Sequence, residues 1–130
     1  MTEPSHSLEL PGLEVVLDKL EYLFGKGNIP PETPHVFIYH LTIHNRADRA
    51  LTLLGRKWIV IDESGNRSVI EGEKIVGKTP HLEPGESFSY NSFHLTGGDA
   101  TAEGSFHGVD EQGMRVHVRI PSIPMRVPRK

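Results

Sequence analysis

Histidine is the residue type with the most chemistry to offer here. The chain of 130 residues carries eight of them and no cysteine. Imidazole nitrogens suit a borderline divalent cation, and without thiolates such an ion would be held by histidine and carboxylate. Spacing decides how. His40 and His44 fall on one side of an extended segment, yet four residues apart, roughly 13 Å at about 3.3 Å per residue. Metal–nitrogen bonds of about 2.0–2.1 Å do not reach one ion from both rings. No His-x-His pair occurs, so a site needs His40 or His44 joined across strands by His117 or His107, or by a carboxylate such as Glu103. The competing reading of these rings is exposed side chains on a polar face.

Gly55-Arg56-Lys57-Trp58 is the second stretch with chemical content. Arg56 and Trp58 share a parity and so a face, if Gly55 does not mark a bulge. Arg56 then offers a planar donor fork to an anion or a partner carboxylate, and both residue types are favoured at interface hot spots. The competing reading packs Trp58 into the core with Arg56 beside it. Lys74, Lys78, His81 and Glu86 extend this candidate surface, as does the outward face of the last strand at Arg115, His117 and Arg119. Arg126, Arg129 and Lys130 make the C-terminal stretch basic: a solvated tail or an anion-facing patch. Catalysis has little to stand on. No serine sits in a Gly-x-Ser-x-Gly elbow, and Glu83 and Glu86, three apart on a turn, are not held as an acid–base pair. The expectation is a binding protein that is not an enzyme and uses no cofactor, with a divalent cation as the alternative ligand; a third reading, an enzyme acting on a phosphoanhydride, has neither a carboxylate cluster nor a phosphate loop behind it.

Short strands must position these residues. Leu13, Val15 and Leu17 alternate with Glu14, Val16 and Asp18, which reads as a strand. Leu13, Val16, Leu17, Leu20, Leu23 and Phe24 also fit a 3.6 period, so a short helix stays open. Gly25 to Pro34, with three prolines and two glycines, is a long loop. Phe37, Tyr39, Leu41 and Ile43 then face one way and Ile38, His40, Thr42 and His44 the other. Leu51 to Ile61 is a strand region interrupted at Gly55. Asp62 to Asn66 is a hairpin turn, Arg67 to Val76 runs extended, and Pro84-Gly85 suits a type II turn. Ser87 to Leu95 alternates again. Ala102 to Val109 and Met114 to Ile120 form a hairpin with Met114, Val116, Val118 and Ile120 inward, and Pro121, Pro124 and Pro128 end the pairing. About seven strands with turns every 8–12 residues predict an antiparallel β-sandwich, and no helical pattern follows a strand as a parallel α/β sheet requires.

Formal net charge is −3, which argues against a dedicated nucleic-acid binder. No apolar run approaches the about 20 residues of a membrane helix. The first residues lack the pattern of a signal peptide. The expectation is one soluble cytoplasmic domain over 1–130, with a flexible N-terminus at 1–10 and a tail at 125–130.

Longer stretches resemble a known family. Phe37 to Asn45 is similar to the aromatic alternating strand of ApaG-domain proteins. Leu53-Leu54-Gly55-Arg56-Lys57-Trp58 resembles their Leu-Leu-Gly-Arg-x-Trp signature, Gly77 to Glu86 their Gly-x-x-Pro-x-(Leu/Ile)-x-Pro-Gly-Glu loop, and Ile120 to Pro128 their closing segment. The resemblance implies an all-β, immunoglobulin-like or fibronectin-III-like sandwich. It implies a small cytoplasmic protein associated with cobalt and magnesium tolerance, or a protein-recognition module, without assigning an activity. A partner protein, a small anion or a second copy through a strand edge are the partners expected. Many bacterial members carry Gly-x-Gly-x-x-Gly before the proline-rich loop. Here Gly72 to Gly77 has Lys74 at the middle glycine, and Pro80 and Pro84 leave no helix to hold a phosphate.

Overall fold

The structure, a computed structural model, describes residues 6–129. They form nine strands and no helix: β1 (Leu8–Glu9), β2 (Leu13–Phe24), β3 (His35–Asn45), β4 (Leu51–Asp62), β5 (Arg67–Glu73), β6 (His81–Leu82), β7 (Ser87–Thr96), β8 (Ala100–Asp110) and β9 (Arg115–Met125). Seven are long, as the turn spacing predicts, and two are two-residue strands. One sheet runs β1-β9-β8-β4-β5, with β6 paired to the start of β4, and the other runs β2-β3-β7. The result is a β-sandwich, antiparallel except where β1 lies parallel to β9.

The alternating strands put their apolar sides together. Phe37, Tyr39, Leu41 and Ile43 of β3 meet Leu51, Leu53 and Trp58 of β4, Phe106 of β8, and Val116, Val118 and Ile120 of β9 in one buried core. The segment left open between strand and helix is strand: Leu13 to Phe24 pairs along its length with β3, with a bulge at Asp18. Eleven residues paired with a partner strand outweigh a weak helical period in a segment that has no helix to pack against.

Four expectations are corrected. The flexible N-terminus expected at 1–10 does not extend over Leu8 to Leu10, since Leu8 and Glu9 pair with β9 and Leu10 is buried in the core; residues 1–5 lie outside the described residues. Met114 does not face inward; it is 58% exposed in the turn before β9. Pro121 and Pro124 do not end the pairing, because β9 continues to Met125. Beyond Val116 and His117 no β1 residue pairs with β9, so a proline nitrogen on that free side forfeits no ladder bond. The tail at 125–130 begins anchored: Met125 is buried and the Val127 N–H donates to Asp99 Oδ1 at 2.8 Å. Lys130 lies outside the described residues.

Candidate functional site

The two sheets differ in width, and the difference falls at one place. β2 packs against β9, Tyr90 of β7 touches Phe106 of β8, and His94 of β7 touches Trp58 of β4. The smaller sheet thus ends at β7, over β4 and β8, while the larger continues to β5. Trp58 and Ile70 are directly opposite each other on β4 and β5 and share a face. Trp58 is 1% exposed and Ile70 is 42% exposed. The cover stops between them.

Arg56 reaches into that uncovered strip. It shares the inward face with Trp58, as the parity predicts, and its guanidinium lies over Gly72 of β5. A Cβ at Gly72 would stand 2.7 Å from Nη1. Nη1 donates to the Glu73 and Lys74 carbonyls, each at 2.9 Å. Gly72 thus leaves the space that the Arg56 guanidinium occupies. The other two positions of the degenerate glycine stretch also have backbone reasons. Lys74 has φ +69°, and Val76 and Gly77 have φ +44° and +78° in a two-residue turn closed by reciprocal bonds between Ile75 and Lys78. Left-handed φ is where glycine is free and other residues are strained.

β7 forms the rim above this strip. Asn45 N–H donates to the Glu86 carbonyl at 2.9 Å, one step beyond Ser87 in the unbroken β3–β7 register. Hydrogen-bonded pairs alternate in an antiparallel ladder. Phe88, Tyr90, Ser92 and His94 therefore bond β3, while Ser89, Asn91, Phe93 and Leu95 turn N–H and C=O to the open edge. From Ser87 to Thr96 there is no Asp, Glu, Lys, Arg, Pro or Gly and no bulge. The remaining long edges are guarded: β2 carries Glu14, Asp18, Lys19, Glu21 and a bulge, and β5 carries Arg67, Glu71 and Glu73. Phe93, beside Ile38 on the outer face, is 54% exposed.

Behind β7 sit three buried side-chain atoms without a hydrogen-bond partner among the described residues: Trp58 Nε1, Tyr90 OH and His94 Nε2. The rings of Tyr39, Trp58 and His94 touch one another with centroids 4.7–5.0 Å apart. Burial pushes the His94 pKa down to about 4 and the Tyr39 and Tyr90 phenols up.

The remaining candidates divide. Trp58 cannot touch a partner, because it is core. His81 has both ring nitrogens occupied, by Thr52 Oγ1 at 2.9 Å and Glu83 Oε2 at 2.7 Å. Glu86 accepts the Glu83 N–H at 2.8 Å and closes the Pro84-Gly85 turn. Lys74 and Lys78 flank the strained turn. His40, His44 and His117 do not form one metal site: His40 and His44 face outward from β3 and His117 faces outward from β9, on opposite sides of the sandwich. His40 Nε2 instead bonds Glu21 at 2.7 Å, and the His40 ring with Lys19 holds the Glu21 carboxyl below its ordinary range. His117 stands directly opposite His107 rather than His40 or His44, so the cross-strand partner that a site required is not brought to β3, and Ser7 Oγ lies 2.7 Å from the His117 Nδ1. A Cβ at Gly55 would stand 2.6 Å from the His107 ring and 2.9 Å from the Gly72 carbonyl oxygen. Among the described residues no three His, Asp or Glu are grouped to hold a metal ion. Arg115 lines a shallow groove with His107 and Glu73 on that outer face, and Arg119 lies 3.5 Å from Glu9.

Sequence reasoning missed Ile70, Asn91 and Phe93 as site residues, although the uncharged run from Ser87 to Thr96 was visible. It also missed Asn45 as a structural knot, fully buried and bonded to the Arg49 and Leu82 carbonyls.

Comparison with known proteins gives a consistent picture. Residues 27–110 match the family model described as ApaG domain (DUF525). Protein ApaG of Aromatoleum aromaticum is 33% identical over 110 residues, covering 84% of this chain and 86% of the relative. Protein ApaG of Anaeromyxobacter dehalogenans is 36% identical over 94 residues, covering 72% and 75%. Among solved structures, the structural-genomics target SoR45 superposes with a TM-score of 0.80 at 26% identity, covering 94% of this chain and 91% of that one. The Bordetella pertussis protein described as ApaA superposes with a TM-score of 0.73 at 25% identity, covering 95% and 99%.

Proposed function

The chain belongs to the ApaG domain family, and from that premise we propose that it is a non-catalytic binding module that captures an extended segment of a partner protein along the free edge of β7. One observation carries the reading: ten uncharged strand residues without a bulge, paired with β3 on one side and, among the described residues, with no strand on the other. Such an edge presents a row of amide and carbonyl groups that a second strand satisfies, and proteins that do not use an edge guard it as β2 and β5 are guarded here. The side chains that could suggest an enzyme support the same reading. His81, Glu83 and Glu86 are bonded to one another or to the turn that carries them.

The test exploits the alternation. The Asn91 N–H faces the edge, so Asn91→Pro removes an edge donor without taking a bond from the β3–β7 ladder. With a partner captured from lysate by the wild-type protein and identified, the variant is expected to retain its melting temperature and lose that partner. Unchanged binding of the same partner by a folded Asn91→Pro protein would overturn the proposal.

A further inference from the structure

Resting on that reading, we infer that the captured segment carries an apolar residue and, two positions away on the same face, a carboxylate received by Arg56. A strand added to β7 lies about 4.8 Å beyond it and about 10 Å above the larger sheet. That places it over β5, the strand the smaller sheet leaves uncovered. The inward side chains of the added strand meet whatever β5 and β4 present there.

Two features are presented. Ile70 offers an exposed apolar side chain beside the buried Trp58. The guanidinium over Gly72 follows two residues along β5, roughly 7 Å away at about 3.3 Å per residue. That is also the spacing of same-face residues on an incoming strand, so one strand serves both. Arg56 is already fixed. Nη1 donates to both the Glu73 and the Lys74 carbonyls, and Gly72, lacking a side chain, leaves the room that the guanidinium occupies. Nε and Nη2 have no hydrogen-bond partner among the described residues. These two donors form the side-on fork that matches the two oxygens of a carboxylate. A lysine on the incoming strand would be set against the guanidinium, and a glutamine would satisfy one donor without the charge.

The probes are three fluorescein-labelled peptides of alternating valine and threonine that differ at one central valine-facing position: glutamate, glutamine or lysine. Each is titrated by fluorescence polarisation into the wild-type protein, Arg56→Gln, Ile70→Lys and Asn91→Pro, all checked for folding by melting. The glutamate peptide is expected to bind at least about tenfold tighter than the glutamine peptide, with lysine weakest. Arg56→Gln should erase that preference, Ile70→Lys should weaken all three peptides, and Asn91→Pro should abolish binding. Ile70 is partly exposed, so its replacement reports on the strip even if Arg56→Gln does not fold. Equal affinities for the three peptides, lost together in Asn91→Pro, would overturn the carboxylate assignment and leave strand addition standing. Absence of binding by any peptide up to about 1 mM would overturn both.

Discussion

His94 makes the stability of this protein depend on pH in a way that can be calculated. Its ring is 6% exposed, wedged against Tyr39 and Trp58, and burial pushes its pKa down to about 4 from the ordinary 6.5. Desolvation disfavours the charged ring, so the folded chain keeps it neutral. Between pH 6.5 and 4 the unfolded chain binds the extra proton, and stability therefore falls as pH falls. The contribution is fully present above pH 6.5. It is reduced by about 2 kcal/mol at pH 5 and by about 3 kcal/mol at pH 4, from 1.36 kcal/mol for each pKa unit. Urea unfolding of wild type and His94→Phe at pH 7.5 and pH 5 isolates this from the carboxylates, which titrate alike in both chains. Wild type should lose about 2 kcal/mol more than the variant over that interval. His94→Gln serves as a second variant of similar polarity and no charge. Parallel losses in wild type and both variants would refute a buried neutral His94 and the packing of β7 over β4.

Other outcomes follow from named contacts. Lys74→Gly should raise stability by up to about 1 kcal/mol by chemical denaturation, because relief at φ +69° outweighs the added freedom of the unfolded glycine. Gly108→Ala should cost about 3 kcal/mol or more, since its Cβ would stand 2.0 Å from the Thr52 carbonyl oxygen in the adjacent strand. Tyr90→Phe should be neutral or stabilise by about 1 kcal/mol, read as a shift in the urea midpoint, because it removes a buried hydroxyl that has no partner.

Local pattern carried the fold a long way. The alternation of β3 named its core residues, and the shared parity of Arg56 and Trp58 survived the bulge between Leu53 and Gly55 because that bulge precedes both. Strands of two residues left no periodicity to read, so β1 and β6 were invisible. Sheet membership was invisible too. Nothing in the spacing of His40, His44 and His117 says that β3 and β9 lie in different sheets, which together with their outward orientation keeps His117 away from both. The binding strip needed the same information. Ile70 looks like any strand isoleucine until the order β8-β4-β5 is set against β2-β3-β7 and one strand is found without cover. Lys74 shows a third limit: its left-handed backbone comes from the turn that buries Ile75, not from any preference of lysine.

Amide hydrogen exchange along β7, with and without the glutamate peptide, tests the central claim most directly. In the free protein Ser89, Asn91 and Phe93 should exchange fast while Phe88, Tyr90, Ser92 and His94 are protected by β3, and the peptide should slow the first group by about tenfold or more. Fast exchange of Ser89, Asn91 and Phe93 that saturating peptide leaves unchanged, or protection appearing elsewhere on the sandwich, would contradict strand addition at this edge.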